Sequence, residues 1–260
     1  GLRLFGGGAQ AALAAYGVIQ GMSLPILLVP AALIAVIADL IVPELTEAQV
    51  QGRLRGLGYM LERLYRLGLF FSMAVAGACF FFAHPLGELI YSEPAAGQYI
   101  RLLAPLVPIM YMDTLVDGML KGVGEYRANM RYNIIDAATG LLLVWLLLPR
   151  YGVAGYLFSI SATELLNFAL SAARLTRVTV FRLQPLCWLL TAAAAVGGWW
   201  LLRLIFGRLL PRTGQPLILL LLVFLYLACY GAALLLCGAL RREELSWLFS
   251  LLRGEKSPKT

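Results

Sequence analysis

Charge is what this sequence has least of. Of its 260 residues 13% are charged and 61% are apolar, where a soluble domain carries roughly 25% charged and 45–50% apolar residues. A water-soluble globule of this size could not hide so much apolar surface, so an ordinary cytosolic enzyme is excluded. Histidine is almost missing. The single His84 stands before Pro85 at the end of an apolar run, which excludes a metal centre built on several imidazoles. The four cysteines, Cys79, Cys187, Cys229 and Cys237, all lie in apolar stretches without a C-x-x-C spacing, and they read as small core residues. No phosphate-binding G-x-x-x-x-G-K-[ST] loop and no helix-opening dinucleotide fingerprint is present; KGVGEY is glycine-rich but sits in a short connection and reads as a hinge or tight turn. With no nucleophile–base pair either, the chain is not expected to be an enzyme or to hold a cofactor.

What is abundant is apolar sequence in long runs. Segments near 12–42, 66–83, 101–120, 133–149, 153–173, 186–206 and 216–239 are each long enough to cross a bilayer, which takes about 20 helical residues. The expected fold is all-α, a polytopic membrane helical bundle of about seven transmembrane helices. The first segment is too long for a straight crossing, at about 46 Å, and Pro25 and Pro30 are expected to bend it.

The net charge of +7 would point to nucleic acid in a soluble protein; in an apolar chain it points to basic cytoplasmic loops, and no nucleic-acid partner is expected. Of the 21 basic residues, 15 fall in alternate connections: Arg53, Arg55, Arg63 and Arg66; Lys121, Arg127 and Arg131; Arg174, Arg177 and Arg182; and Arg241, Arg242, Arg253, Lys256 and Lys259 in the tail. The intervening connections hold Arg3, Arg101, Arg150, Arg203, Arg208 and Arg212. The positive-inside rule then places residue 1 outside and the C-terminus in the cytoplasm of a multi-pass protein of the cytoplasmic membrane. An odd number of spans, an opening Gly1 and a loop-like GLRLFGGGAQ lead to the expectation that further residues precede this chain. The tail from 241 to 260 reads either as a solvated segment or as an amphipathic one lying on the inner headgroups.

Ionisable residues inside spans are costly and mark polar cavities or ion pathways. Asp113, Asp117 and Lys121 recur at i, i+4 and i+8 on one helical face. Counted back from Lys121 at 1.5 Å per residue, Asp117 lies about 6 Å and Asp113 about 12 Å deep. Asp136 is about 6 Å deep in the next span, and Glu164, with Asn167 one turn below, about 13 Å deep in the one after. Four carboxylates thus occupy the inner halves of three consecutive helices as a candidate polar cavity or ion pathway, with Lys121, Arg131 and Arg174 as its candidate cytoplasmic mouth. The competing reading is salt bridging and snorkelling, with Asp117 and Lys121 a simple helical pair. Gln20, Ser23, Pro25 and Pro30 form a candidate bent, cavity-facing stretch of the first span.

Two strings, YGVIQGMSLPILLVPAALIAVIADLIVPELTEA and PIMYMDTLVDGMLKGVGEYRANMRYNIIDAATGLLLVWLLLPRYGVAGYLFSISATELLNFALSAARL, resemble the second half of the stage V sporulation protein B (SpoVB) group of polysaccharide-biosynthesis membrane proteins. That group sits in the multidrug/oligosaccharidyl-lipid/polysaccharide exporter superfamily with the MurJ-type lipid II flippases and the MATE drug antiporters. The resemblance covers residues 10–180, with the stretch from Asp113 to Tyr156 the most diagnostic; the last two spans match by position and hydropathy alone. It implies helices eight to fourteen of a two-lobed transporter: 1–180 as most of the second lobe, 181–240 as two additional C-terminal helices and 241–260 as a cytoplasmic tail, with the first lobe as a missing partner. The implied activity is flipping of a lipid-linked saccharide, such as a peptidoglycan precursor, by alternating access. H⁺, Na⁺ or the membrane potential would drive it, the first span would face the cavity, and the last two helices would guide a lipid tail. The diphosphate-binding arginines of MurJ-type flippases lie largely on first-lobe helices, so none is carried over here. Two alternatives stay open: a MATE-like cation-coupled antiporter of small amphipathic compounds, and a non-transporting scaffold for envelope or spore assembly.

Overall fold

The computed structural model describes residues 9–181, 185–206 and 215–236; every regular element among them is a helix. Six described helices are long and apolar enough to cross a bilayer, or seven when the bent pair Ala14–Leu28 and Ala31–Val50 counts as one span.

The first span is built in pieces. Helix α1 (Ala9–Val18) runs through a π-helical turn, Ile19–Ser23, into the short α2 (Leu24–Leu28), and α3 (Ala31–Val50) follows. Pro25 has no N–H for the carbonyl four residues back, and the wider π turn just before it absorbs that mismatch. The sharp change of direction, 51°, falls at Pro30. The expected end of the span at 42 is corrected: α3 runs through Pro43 to Val50. The proline costs one backbone bond, but Ile34, Ala38, Ile41 and Leu45 are buried at one-face spacing on either side of it, and the Thr46 hydroxyl donates to the Gly122 carbonyl at 3.0 Å.

Gly52, at φ 67°, turns the chain into α4 (Leu54–Phe81). The basic stretch read as a connection from 43 to 65 is therefore mostly helix. Leu57, Leu61 and Leu64 are buried at i, i+4 and i+7, so an apolar stripe carries the helix through the arginines that had marked a loop. A short hairpin follows, α5 (Ala83–Tyr91) and α6 (Pro94–Leu103). Ser92 turns it in the left-handed conformation, the Glu93 side chain accepts from the Ala95 N–H at 3.3 Å, and its helices meet so closely that a Cβ on Gly87 would stand 2.5 Å from the Gly97 nitrogen. A 3₁₀ turn, Ala104–Leu106, leads into α7 (Val107–Gly122), so the span read as 101–120 runs from Pro94 to Gly122.

Helix α7 is the axis of the bundle, packed against α3 and α4 and also against α9 (Val153–Val178). Glycines set these contacts: a Cβ on Gly118 would lie 2.7 Å from Ala38 Cβ, and one on Gly122 2.8 Å from Leu45 Cβ. KGVGEY is a tight turn, with Gly124 at φ 79°. Helix α8 (Tyr126–Tyr151) lies outside α9, and only Asn129 on it is buried; Leu141 and Trp145 stand 75% and 71% exposed. Helices α10 (Pro185–Phe206) and α11 (Pro216–Leu236) pack on each other and on α4. Trp188 Nε1 donates to the Tyr65 hydroxyl at 2.9 Å and the Tyr230 hydroxyl to the Phe70 carbonyl at 3.0 Å. Cys79 and Cys229 are buried and Cys187 half-buried, as small core residues; Cys237, Arg182, Arg3, Arg208, Arg212 and the tail lie outside the described residues.

Candidate functional site

The inward face of α7 repeats every four residues: Asp113, then Asp117 one turn on. On α9, Glu164, Asn167 and Ser171 follow at i, i+3 and i+7; on α8, Asn129, Asn133 and Asp136 stand at i, i+4 and i+7. Helical periodicity puts each trio on one face, and the three faces meet.

Asn167 is the centre of the meeting. Its side-chain amide Nδ2 donates to Asp113 Oδ2 at 2.8 Å and to Asn133 Oδ1 at 3.4 Å. Asn133 Nδ2 donates to Asp117 Oδ2 at 3.1 Å and to Asn129 Oδ1 at 3.3 Å, while the Ser171 hydroxyl donates to Asp117 Oδ1 at 3.0 Å. Asp113 faces the charges of Asp117, Glu164 and Asp136, and Glu164 faces Asp136. Amides and a hydroxyl, not cations, bridge the carboxylates. The network is also incomplete: Asp113 Oδ1, Asp136 Oδ1, Asn167 Oδ1 and Asn129 Nδ2 are buried with no hydrogen-bond partner. Unpaired buried polar atoms are costly, and three acceptor oxygens are left open in this one cluster.

The structure thus brings Asp113, Asp117 and Asn167 into one hydrogen-bonded network, with Asp136 and Glu164 at its edge. It does not bring the expected mouth residues to it. Lys121 and Arg131 are exposed, and Arg174 is taken by Glu125 in a two-pronged pair at 2.8–3.1 Å. Nor does the Asp117–Lys121 helical pair form among the described residues; Asn133 and Ser171 occupy Asp117 instead. Asn129, Asn133 and Ser171 were missed by reasoning on charge alone, although their spacing, amides and a hydroxyl recurring on one face of an apolar span, was a usable signal. Among the described residues no three His, Cys, Asp or Glu side chains converge closely enough to hold a metal ion.

The stretch from Gln20 to Pro30 forms a second polar feature, away from the first. Gln20 is exposed and its side-chain amide donates to the Tyr156 hydroxyl. Ser23 is buried and donates to the Ala96 carbonyl at 3.1 Å. Pro25 follows the π turn and Pro30 marks the bend.

Residues 4–146 match the MatE family model. The chain belongs to the MatE family. Stage V sporulation protein B of Bacillus subtilis (strain 168) is 27% identical over 179 residues, a match that covers 68% of this chain and 35% of that protein. This MatE-family chain is accordingly a SpoVB-like, multi-pass membrane protein that spans 35% of the length of the relative it matches. All of the α7–α9 carboxylates except Glu164 fall within the residues matched by the family model.

Proposed function

We propose that this chain is part of a transporter that moves a lipid-linked saccharide across the cytoplasmic membrane by alternating access, coupled to protons through the α7–α9 cluster. The observation that carries the coupling is Asp113: a buried carboxylate with one oxygen held by Asn167 at 2.8 Å and the other unpaired. A proton needs one such oxygen, whereas Na⁺ needs several ligands converging on a point, so H⁺ is favoured over Na⁺. Bare carboxylates facing one another repel, and neutralising them lets α8 and α9 close on α7. The bilayer and a first lobe, which residues 1–180 would face across a central cavity, are the expected partners. Residues 181–240 would be two appended helices and 241–260 a cytoplasmic tail. Residue 1 would lie outside, which sets the cluster in the inner half of the membrane.

The lipid-linked cargo is supported by the resemblance to the SpoVB group and by a groove of about 590 Å³ between α4, the start of α7 and α10, lined among others by Ala76, Gly77, Phe80, Ala192, Trp199 and Trp200. Small residues leave the room and aromatics furnish the walls, a lining suited to an acyl or isoprenoid chain. The MatE match equally supports a second reading, a cation-coupled antiporter of small amphipathic compounds. Depletion of the full-length protein separates the two: accumulation of a lipid-linked saccharide on the cytoplasmic face supports the flippase, while unchanged lipid with altered dye efflux replaces it by the antiporter. Loss of neither, with a defective spore or envelope, would favour a scaffold. In the full-length protein, Asp113→Asn and Glu164→Gln are expected to cut transport at least tenfold and Asp39→Asn, on an exposed position of α3, less than twofold. Equal activity in all three removes the cluster from the mechanism.

A further inference from the structure

The first span is held in two different ways on either side of Pro30. Along α3 it is seated backbone to backbone on α7, where Gly118 and Gly122 leave no room for a side chain against Ala38 and Leu45. Between Ala14 and Leu28 the contact is looser. A Cβ on Gly17 or Gly21 would meet nothing within 4 Å, Tyr16, Gly17, Gln20 and Gly21 are exposed, and only Ile19, Ser23, Leu24 and Leu27 are buried. This half is fastened by three side-chain hydrogen bonds to three different helices: Gln20 to the Tyr156 hydroxyl on α9, Ser23 to the Ala96 carbonyl on α6, and the Tyr111 hydroxyl on α7 to the Leu27 carbonyl. The last of these falls in the final turn before the bend, next to the Ile26 carbonyl that Pro30, lacking an N–H, cannot serve. A tilted ring contact at 5.3 Å between Tyr16 and Tyr156 adds to the first.

We infer that the half-helix from 14 to 28 is a hinged gate that swings about Pro30 and is latched in the bent position by the Gln20–Tyr156, Ser23–Ala96 and Tyr111–Leu27 hydrogen bonds. Each latch is a neutral hydrogen bond, shifting an equilibrium by about fivefold, so together they hold the bent state without locking it. Both π turn and proline are sites where the regular backbone ladder is interrupted, and the bonds that bridge the bend, Ala32 N–H to the Val29 carbonyl at 3.3 Å and Leu33 N–H to the Pro30 carbonyl at 3.2 Å, are long, so a swing there disturbs few backbone bonds. The gate also shares its supports with the carboxylate cluster: Tyr111 lies two residues before Asp113 on α7, and Tyr156 two turns before Glu164 on α9. A movement of α7 or α9 on loading of the cluster is therefore felt at the latch. Tyr111 and Tyr156 are positioning residues in this account, acting through the first span.

The use of the joint as a gate rests on the transport reading, but the joint itself is measured without cargo. Spin labels are placed at Gly17→Cys and Leu40→Cys, both exposed and on opposite sides of the bend, in the full-length protein freed of its other cysteines and reconstituted in bilayers. The expected result is a dominant bent distance with a minor second population. Removing two latches with Gln20→Leu and Tyr111→Phe should raise the ratio of second to first population at least tenfold. Folding of each variant is checked by a Gly58→Cys/Val180→Cys disulfide, since ideal Cβ positions there stand 3.7 Å apart. Should Tyr111→Phe fail that check, Ser23→Ala replaces it, with the same expected shift. One narrow distance, unchanged in a folded double-latch variant, overturns the gate. Normal transport with that rigid distance refutes the gate and spares the transport reading; a mobile joint with no transport of either cargo does the reverse.

Discussion

Exchanging Asp113 and Asn167 tests the central contact of the cluster most directly. Asn167 Nδ2 donates to Asp113 Oδ2 at 2.8 Å, a charge-assisted hydrogen bond of the kind that contributes about 1.5–3 kcal/mol. Asn167→Asp sets two carboxylates face to face at that separation and also removes the donor to Asn133. Asp113→Asn leaves two amides, one of which can rotate to pair with the other, so it should cost less, about 1 kcal/mol. The double exchange restores one amide and one carboxylate across the same gap and keeps the net charge of the wild type. Its stability should exceed the sum of the single effects by about 2 kcal/mol, roughly a thirtyfold coupling. In thermal unfolding of the full-length protein, about 2–4 °C per kcal/mol makes that coupling a recovery of about 4–8 °C relative to additivity. Additive behaviour, with a coupling under about 0.5 kcal/mol, would refute the contact. Transport is a separate readout: it should stay impaired in the stable double variant, because the carboxylate has moved from α7 to α9.

Three further outcomes follow from packing and charge elsewhere. Gly118→Val should lower the unfolding temperature by roughly 5 °C, since its Cβ alone would stand 2.7 Å from Ala38 Cβ and overpacking costs about 1–3 kcal/mol; wild-type thermal stability would show that α3 and α7 are not so closely seated. Trp188→Phe removes the donor to the buried Tyr65 hydroxyl and should cost about 1 kcal/mol, checked by thermal unfolding against Trp199→Phe, which keeps its ring on Phe81 and should cost less. Glu125 and Arg174 pair with good geometry, but their side chains are 25% and 38% exposed, so a double-mutant cycle should give under about 1 kcal/mol, falling further with salt; a coupling above that would mean a dry, structural clasp.

Much of this architecture was legible in the order of residues. Long apolar runs can only be spans in a chain so poor in charge, and Pro30 could be read as a bend because a missing N–H acts locally. Charge-based boundaries were less reliable. Arg53 to Arg63 looked like a connection, yet Leu57, Leu61 and Leu64 hold that stretch in α4, and Pro43 looked like a terminus where burial on both sides overrides its local cost. In the cluster the four carboxylates were identifiable from depth alone, whereas Asn129, Asn133 and Ser171 were not, because an amide or hydroxyl in a span is cheap enough to pass unremarked until a carboxylate is seen beside it.

Sequence by itself determined that this is a membrane chain, because transfer of each apolar run out of water depends on composition and length and on nothing distant. It also determined the phase of each polar residue on its own helix, since 3.6 residues per turn is a local rule. Only the tertiary structure decided that Asp113 meets Asn167, that Asp117 takes Asn133 and Ser171 instead of Lys121, and that Tyr111 and Tyr156 reach the two ends of the first span's loose half. These contacts depend on which helices are neighbours and on glycines that let α3 and α7 approach. Side chains 54 residues apart become partners through packing, which no local rule encodes.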